Sequence, residues 1–132
     1  MASIFSKIAA GEIPCYKIAE NENYLAFLDV FPLKKGHTLV IPKQEADYIF
    51  DLNAETYSGL MDFSKKVAQA IKRAVPCERV SMQVIGLEVP HAHVHLIPIN
   101  TTNDCDFKQE KLKFSKEVFE ETAKLIASNF KI

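Results

Sequence analysis

Three of the chain's four histidines, His91, His93 and His95, fall within five residues and alternate with Ala92 and Val94. In a strand, positions i, i+2 and i+4 share a face. The spacing therefore predicts a row of three imidazoles, with Ala92, Val94 and Leu96 turned to the core. A lone histidine needs only a hydrogen-bonding partner, but three in strict alternation each need their ring nitrogens satisfied. Two chemistries suit such a row. One is metal binding, because imidazole is a common zinc ligand. Geometry limits it: His91 and His95 would have Cα atoms ~13 Å apart at ~3.3 Å per residue, whereas Zn–N bonds are about 2.1 Å long. An ion shared by two of them would have to be completed by His37 or by a carboxylate such as Asp29 or Glu88. The other chemistry is phosphoryl transfer. A neutral imidazole attacks phosphorus, while neighbouring rings donate to phosphoryl oxygens and protonate the leaving group. Like charges so close together disfavour full protonation, so the row holds mixed protonation states near pH 7.

The rest of the chain must fold to position that row. Its 132 residues make one domain, taken as residues 1–132. Hydrophobic residues at 48% and charged residues at 25% describe a soluble globular chain with a real core. Sixteen basic residues against seventeen acidic ones leave no basic field for a nucleic acid. No apolar run approaches the ~20 residues of a membrane span. The start, Met1-Ala2-Ser3-Ile4-Phe5-Ser6-Lys7, lacks the layout of a signal peptide and suggests a cytoplasmic protein. Cys15, Cys77 and Cys105 are odd in number and widely spaced, which predicts free thiols.

Residues 3–10 read as a short helix with Ile4, Phe5 and Ile8 on one face and Gly11 past its end. Residues 13–19 read as extended, 24–30 as a strand, and 37–42 as a short buried strand stopped by Pro42. Their closeness in sequence favours antiparallel pairing. Asn53 is placed to cap a long helix to Val75, with Leu60, Ser64, Val67 and Ile71 on its apolar face. Pro76 ends it. Residues 79–84 and 91–99 read as strands, residues 101–111 as a polar loop. Ser115 is placed to cap a last helix reaching about Phe130, with Phe114 and Phe119 as a hydrophobic staple. This order predicts an α+β domain whose sheet is mostly antiparallel.

The run His91-Ala92-His93-Val94-His95-Leu96-Ile97 resembles the motif of the histidine triad (HIT) superfamily. Two upstream blocks agree in the same order. One is Ile4-Phe5-Ser6-Lys7-Ile8 with Gly11-Glu12-Ile13-Pro14. The other is Ala26-Phe27-Leu28-Asp29-Val30 with Pro32, followed by Gly36-His37-Thr38-Leu39-Val40-Ile41-Pro42-Lys43. Together they resemble the HINT-like, nucleotide-binding branch, over roughly residues 3–98.

The resemblance implies a HIT-like fold with a five-stranded antiparallel sheet, and a homodimer whose sheet continues across the interface. It implies hydrolysis of AMP-type purine nucleoside phosphoramidates without a metal or other cofactor. His93 would be the nucleophile and form a nucleotidyl-histidine. His91 and His95 would flank it, orienting its ring and contacting phosphate or leaving group, with His37 as a fourth histidine of the site. Asp29 would accept from the ribose hydroxyls. Phe5, Ile8, Ile13, Phe27, Leu28 and Val30 would wall the base, and Glu88 and Val89 would lie beside the phosphate. A dinucleoside polyphosphate hydrolase, with the polar segment 101–111 shaping a different leaving-group pocket, and a low-turnover nucleotide sensor are the alternatives. The approach to the triad, from Ser81 to Pro90, is shorter than the family's. It has Leu87 where Gln is common and no clear equivalent of an Asn. Glu88 stands where some members use Ser as a phosphate donor. An ionised Glu88 repels phosphate, so it serves through its backbone N–H or points away.

Overall fold

A computed structural model of the chain describes residues 3–132. Met1 and Ala2, part of the stretch read above as free of a leader, lie outside the described residues. Five strands form one sheet: β1 (Lys17–Glu20), β2 (Tyr24–Leu28), β3 (Thr38–Pro42), β4 (Arg79–Gln83) and β5 (Val94–Ile99). Their order is β1-β2-β3-β5-β4, and every neighbouring pair is antiparallel. With helices α1 (Ile4–Ala9), α2 (Ala54–Ala74) and α3 (Lys116–Ser128), this is the expected α+β architecture. No described helix is long and apolar enough to cross a membrane. The three cysteines are free thiols.

Strand alternation separates the two faces of the sheet. Tyr24, Ala26, Leu28, Val40, Val94 and Leu96 pack in one core with Leu60, Val67 and Ile71 of α2 and Phe119 and Ile126 of α3. Leu25, Phe27, Leu39 and Ile41 turn the other way and pack with Phe5 of α1. Residues opposite one another in register lie on the same side of a sheet. His95 is opposite Leu39, which puts its ring on the α1 face.

The helix ends follow their capping residues. The Ser3 hydroxyl accepts from the Ser6 N–H, the Asn53 side chain from Thr56 N–H, and the Ser115 hydroxyl from Val118 N–H. Gly11, at φ +80°, turns the chain after α1. Phe114 meets Phe119 edge-on at 5.7 Å, forming the expected staple. A Cβ on Gly59 would overlap the Tyr24 hydroxyl, which donates to Thr56 O at 3.0 Å. Glycine is what lets α2 approach β2 there.

Three departures from expectation bear on the site. Strand β2 stops at Leu28 rather than Val30, because the Asp29 carboxylate accepts from Phe31 N–H at 2.9 Å and turns the chain. The strand expected over residues 91–99 begins only at Val94. The last β3 partner is Val40, opposite Val94. Upstream, Ala92 N–H donates to Ala46 O and His91 N–H to Val89 O. His91 and His93 therefore do not continue a flat row from His95. The loop over residues 101–111 contains a 3-10 turn, Thr102–Cys105, in which Thr101 and Asp104 cap each other's backbone. This segment is held as a strap. Lys34 pairs with Asp104 at 3.4 Å, Gln83 Nε2 donates to Cys105 O at 3.3 Å, and Leu112 N–H donates to Pro32 O at 2.8 Å.

Candidate active site

His91 is fully buried behind the site. Its Nε2 lies 2.8 Å from the Pro42 carbonyl. A carbonyl only accepts, so this nitrogen carries the proton. Nδ1 lies 3.1 Å from both the Ser3 and the Ser6 hydroxyls. In the neutral ring it accepts from one of them. Both ring nitrogens are thus occupied, and His91 does not line the cavity. Of the roles expected of His91, orienting the His93 ring falls to its backbone carbonyl, while its own ring stays out of the cavity.

That carbonyl lies 2.7 Å from His93 Nδ1. The proton of a neutral His93 is therefore on Nδ1, and the lone pair on Nε2 is free. Burial holds His93 below the usual imidazole pKa, against the raising effect of the His91 carbonyl and the more distant Asp29 charge. The ring is neutral at pH 7, the form that attacks phosphorus.

A second chain of hydrogen bonds fixes the other two rings. Leu33 N–H donates to His37 Nδ1 at 3.0 Å. The neutral His37 ring therefore carries its proton on Nε2, 3.0 Å from His95 Nδ1. His95 Nδ1 accepts, and its own proton is on Nε2. Burial first, then the positive charge of Lys111, pushes His37 down to about 3. Burial, followed by the neighbouring His37 and His93 rings, does the same to His95, also to about 3. Among the described residues neither His93 Nε2 nor His95 Nε2 has a protein partner. One is a lone pair and the other an N–H.

Asp29, His37 and His95 offer ligand atoms within 4.8 Å of one another, the one such cluster among the described residues. The donor chemistry does not suit a metal. An ion on His37 Nε2 would need the proton on Nδ1, and Nδ1 already faces the Leu33 N–H. Asp29 Oδ2 instead lies 3.6 Å from His37 Nε2, and Oδ1 is held by Phe31 N–H.

These groups open on a cavity of about 500 Å³. The residues expected at a nucleotide all line it: Phe5, Ile8, Ile13, Phe27, Leu28, Asp29, Val30, Glu88 and Val89, together with His37, His93 and His95. Phe5 meets His93 edge-on at 5.0 Å and Phe27 at 5.6 Å, joining the apolar wall to the nucleophile. Glu88 is exposed at the rim. Sequence reasoning missed Ser3 and Ser6 as partners of His91. It connected the segment 101–111 with a leaving-group pocket but did not single out Phe107 and Lys111, which the strap brings to the His95 side. The Ser-x-x-Ser spacing at a helix start was a readable signal for the first pair. Nothing local marked the second.

The serine pair carries a prediction. Ser3→Ala with Ser6→Ala leaves His91 Nδ1 buried without a donor and is expected to cost about 1–3 kcal/mol of stability. Urea unfolding measures it. Ser6→Ala alone is expected to cost less than half as much, since Ser3 still reaches the ring. Equal costs for the single and double variants would contradict this assignment.

A family model described as the HIT domain matches residues 10–102. A HIT-like protein of Borreliella burgdorferi is 34% identical over 134 residues, covering 96% of each chain. An adenosine 5'-monophosphoramidase of Schizosaccharomyces pombe is 40% identical over 99 residues, covering 74% of each. The crystal structure of a Hit-like protein from Bartonella henselae superposes with a TM-score of 0.84 at 30% identity, covering 97% of this chain and 96% of that one.

Proposed function

Because this chain belongs to the HIT domain family, we propose that it is a nucleotide hydrolase. It cleaves AMP-type purine nucleoside phosphoramidates at the α-phosphate through a nucleotidyl-histidine. One observation carries this reading. Of the eight imidazole nitrogens of the four histidines, only His93 Nε2 is left as a free lone pair at the cavity. It is the one nucleophile the network leaves available.

In this mechanism His93 Nε2 forms a bond to the α-phosphorus. The bond from phosphorus to the substrate nitrogen breaks, and its electron pair leaves with the amine, which takes up a proton from the water whose oxygen later displaces His93. His95 Nε2–H is the N–H the network leaves for the phosphoryl oxygens and the departing group, and prepositioned donors stabilise charge that develops there. Water then cleaves the bond to His93 and releases AMP. The apolar walls hold the base, and Asp29 accepts from the ribose hydroxyls. The resemblance to an S. pombe monophosphoramidase supports the choice of substrate. The same reading makes the chain a homodimer. Edge strand β4 and the residues after it, with Met82, Val84 and Ile85 exposed, are available to continue the sheet.

Turnover of adenosine 5'-phosphoramidate and of a diadenosine polyphosphate, each in excess chelator, tests the proposal. Faster cleavage of the phosphoramidate is expected. A preference for the polyphosphate would move the assignment to that substrate class. AMP binding with no turnover of either would make the protein a nucleotide sensor.

A further inference from the structure

The strap over residues 101–111 closes the cavity on the side away from the base walls. Contacts run in order from one end to the other. Phe5 touches His93, His93 lies 4.9 Å from His95, and His95 meets the Phe107 ring edge-on at 4.8 Å. The Lys111 ammonium then sits 5.6 Å from the centre of that ring. Among the described residues Lys111 is the only lysine or arginine lining the cavity, whose other charged residues are Asp29 and Glu88. A lysine at a cavity mouth is usually just solvated. This one is half-buried, rests on an aromatic face, and donates one N–H to Phe107 O at 2.8 Å. An ammonium has three N–H groups, so two remain. Among the described residues Lys111 forms no ion pair. Its charge is also felt at His37 and His95, whose protonation it opposes.

Resting on the hydrolase reading above, we propose that Lys111, held on Phe107, is a leaving-group subsite selecting AMP conjugates whose departing amine carries an anion, such as a carboxylate. The base end fixes AMP, and His93 and His95 fix the phosphorus. What departs then lies towards the strap, where the cavity's single cation waits with two free donors. Lys111 is a specificity residue in this account and acts on the group that leaves.

Two AMP phosphoramidates of the same shape test it, one made with glycine and one with glycinamide. The ratio of their kcat/KM values is expected to favour glycine and to fall about tenfold in Lys111→Gln, with Lys111→Arg keeping most of it. The ratio of their dissociation constants, measured in a His93→Ala background with and without Lys111→Gln, is expected to shift in the same direction. Ratios unchanged by Lys111→Gln in both turnover and binding would overturn the subsite. A binding ratio that shifts in a protein with no turnover would uphold the subsite and defeat the hydrolase reading instead.

Discussion

His93→Ala is expected to lower kcat on an adenosine phosphoramidate by about 10⁴-fold or more, with AMP still bound. Removing a nucleophile removes the covalent route altogether, and such losses are commonly of this size. No other ring can take over. His91 and His37 have both nitrogens hydrogen-bonded, and the free nitrogen of His95 carries a proton. The substitution removes one hydrogen bond, to the His91 carbonyl, at an expected cost of about 1–3 kcal/mol of stability, so AMP binding is the check that the site stays folded. Stopped-flow or chromatographic assays of turnover, with AMP affinity measured in parallel, separate chemistry from binding. Turnover within tenfold of the parent would remove His93 from the mechanism.

Acid is expected to weaken the fold well above the pH at which its carboxylates titrate. The His37 and His95 rings are held neutral, down to about 3, in the folded state, whereas an unfolded chain binds their protons near 6.5. Between those values the unfolded state holds more protons, so stability rises with pH and is lost as pH falls below about 6.5. Each ring contributes about 1.4 kcal/mol per pH unit in that window. From pH 6.5 to 4 one ring held neutral amounts to about 3 kcal/mol, a large share of an ordinary domain's stability of about 5–15 kcal/mol, and the two rings, hydrogen-bonded to each other, titrate as a pair. His93, also held down by burial, adds in the same direction. Urea midpoints measured from pH 7.5 to 4.5 read the slope, and His37→Asn with His95→Asn is expected to flatten it. A midpoint that stays level in the parent over that range would contradict the buried neutral pair. The acid limb of kcat/KM is expected below pH 6.5 for the same reason, since His93 must be neutral to attack.

Much of this was legible in the residues. Periodicity and caps placed α2 and α3 from Asn53, Pro76 and Ser115, because these signals are local and act within one turn of helix. The alternation His91 to Leu96 turned Val94 and Leu96 to the core and His95 to the opposite face, as the fold has them. The row of imidazoles was only partly readable. Its geometry depends on where pairing with β3 stops, and Ala46 and Val89 capture the backbone of His91 and Ala92 before the strand begins. The way the His91 ring is held behind the site also lay beyond local pattern. It depends on Pro42 and on Ser3 and Ser6, each more than forty residues away in sequence. Phe107 and Lys111 were hidden for the same reason. Their approach to His95 is set by anchors at Lys34, Gln83 and Pro32, and the segment itself reads as polar loop.

Intact-protein mass spectrometry tests the central claim most directly. The protein is mixed with an adenosine phosphoramidate in excess chelator and quenched within a turnover. The account predicts a transient gain of one AMP mass on the parent chain, and none on His93→Ala. Rapid release of AMP with no such adduct at any quench time, or an adduct that persists in His93→Ala, would contradict it.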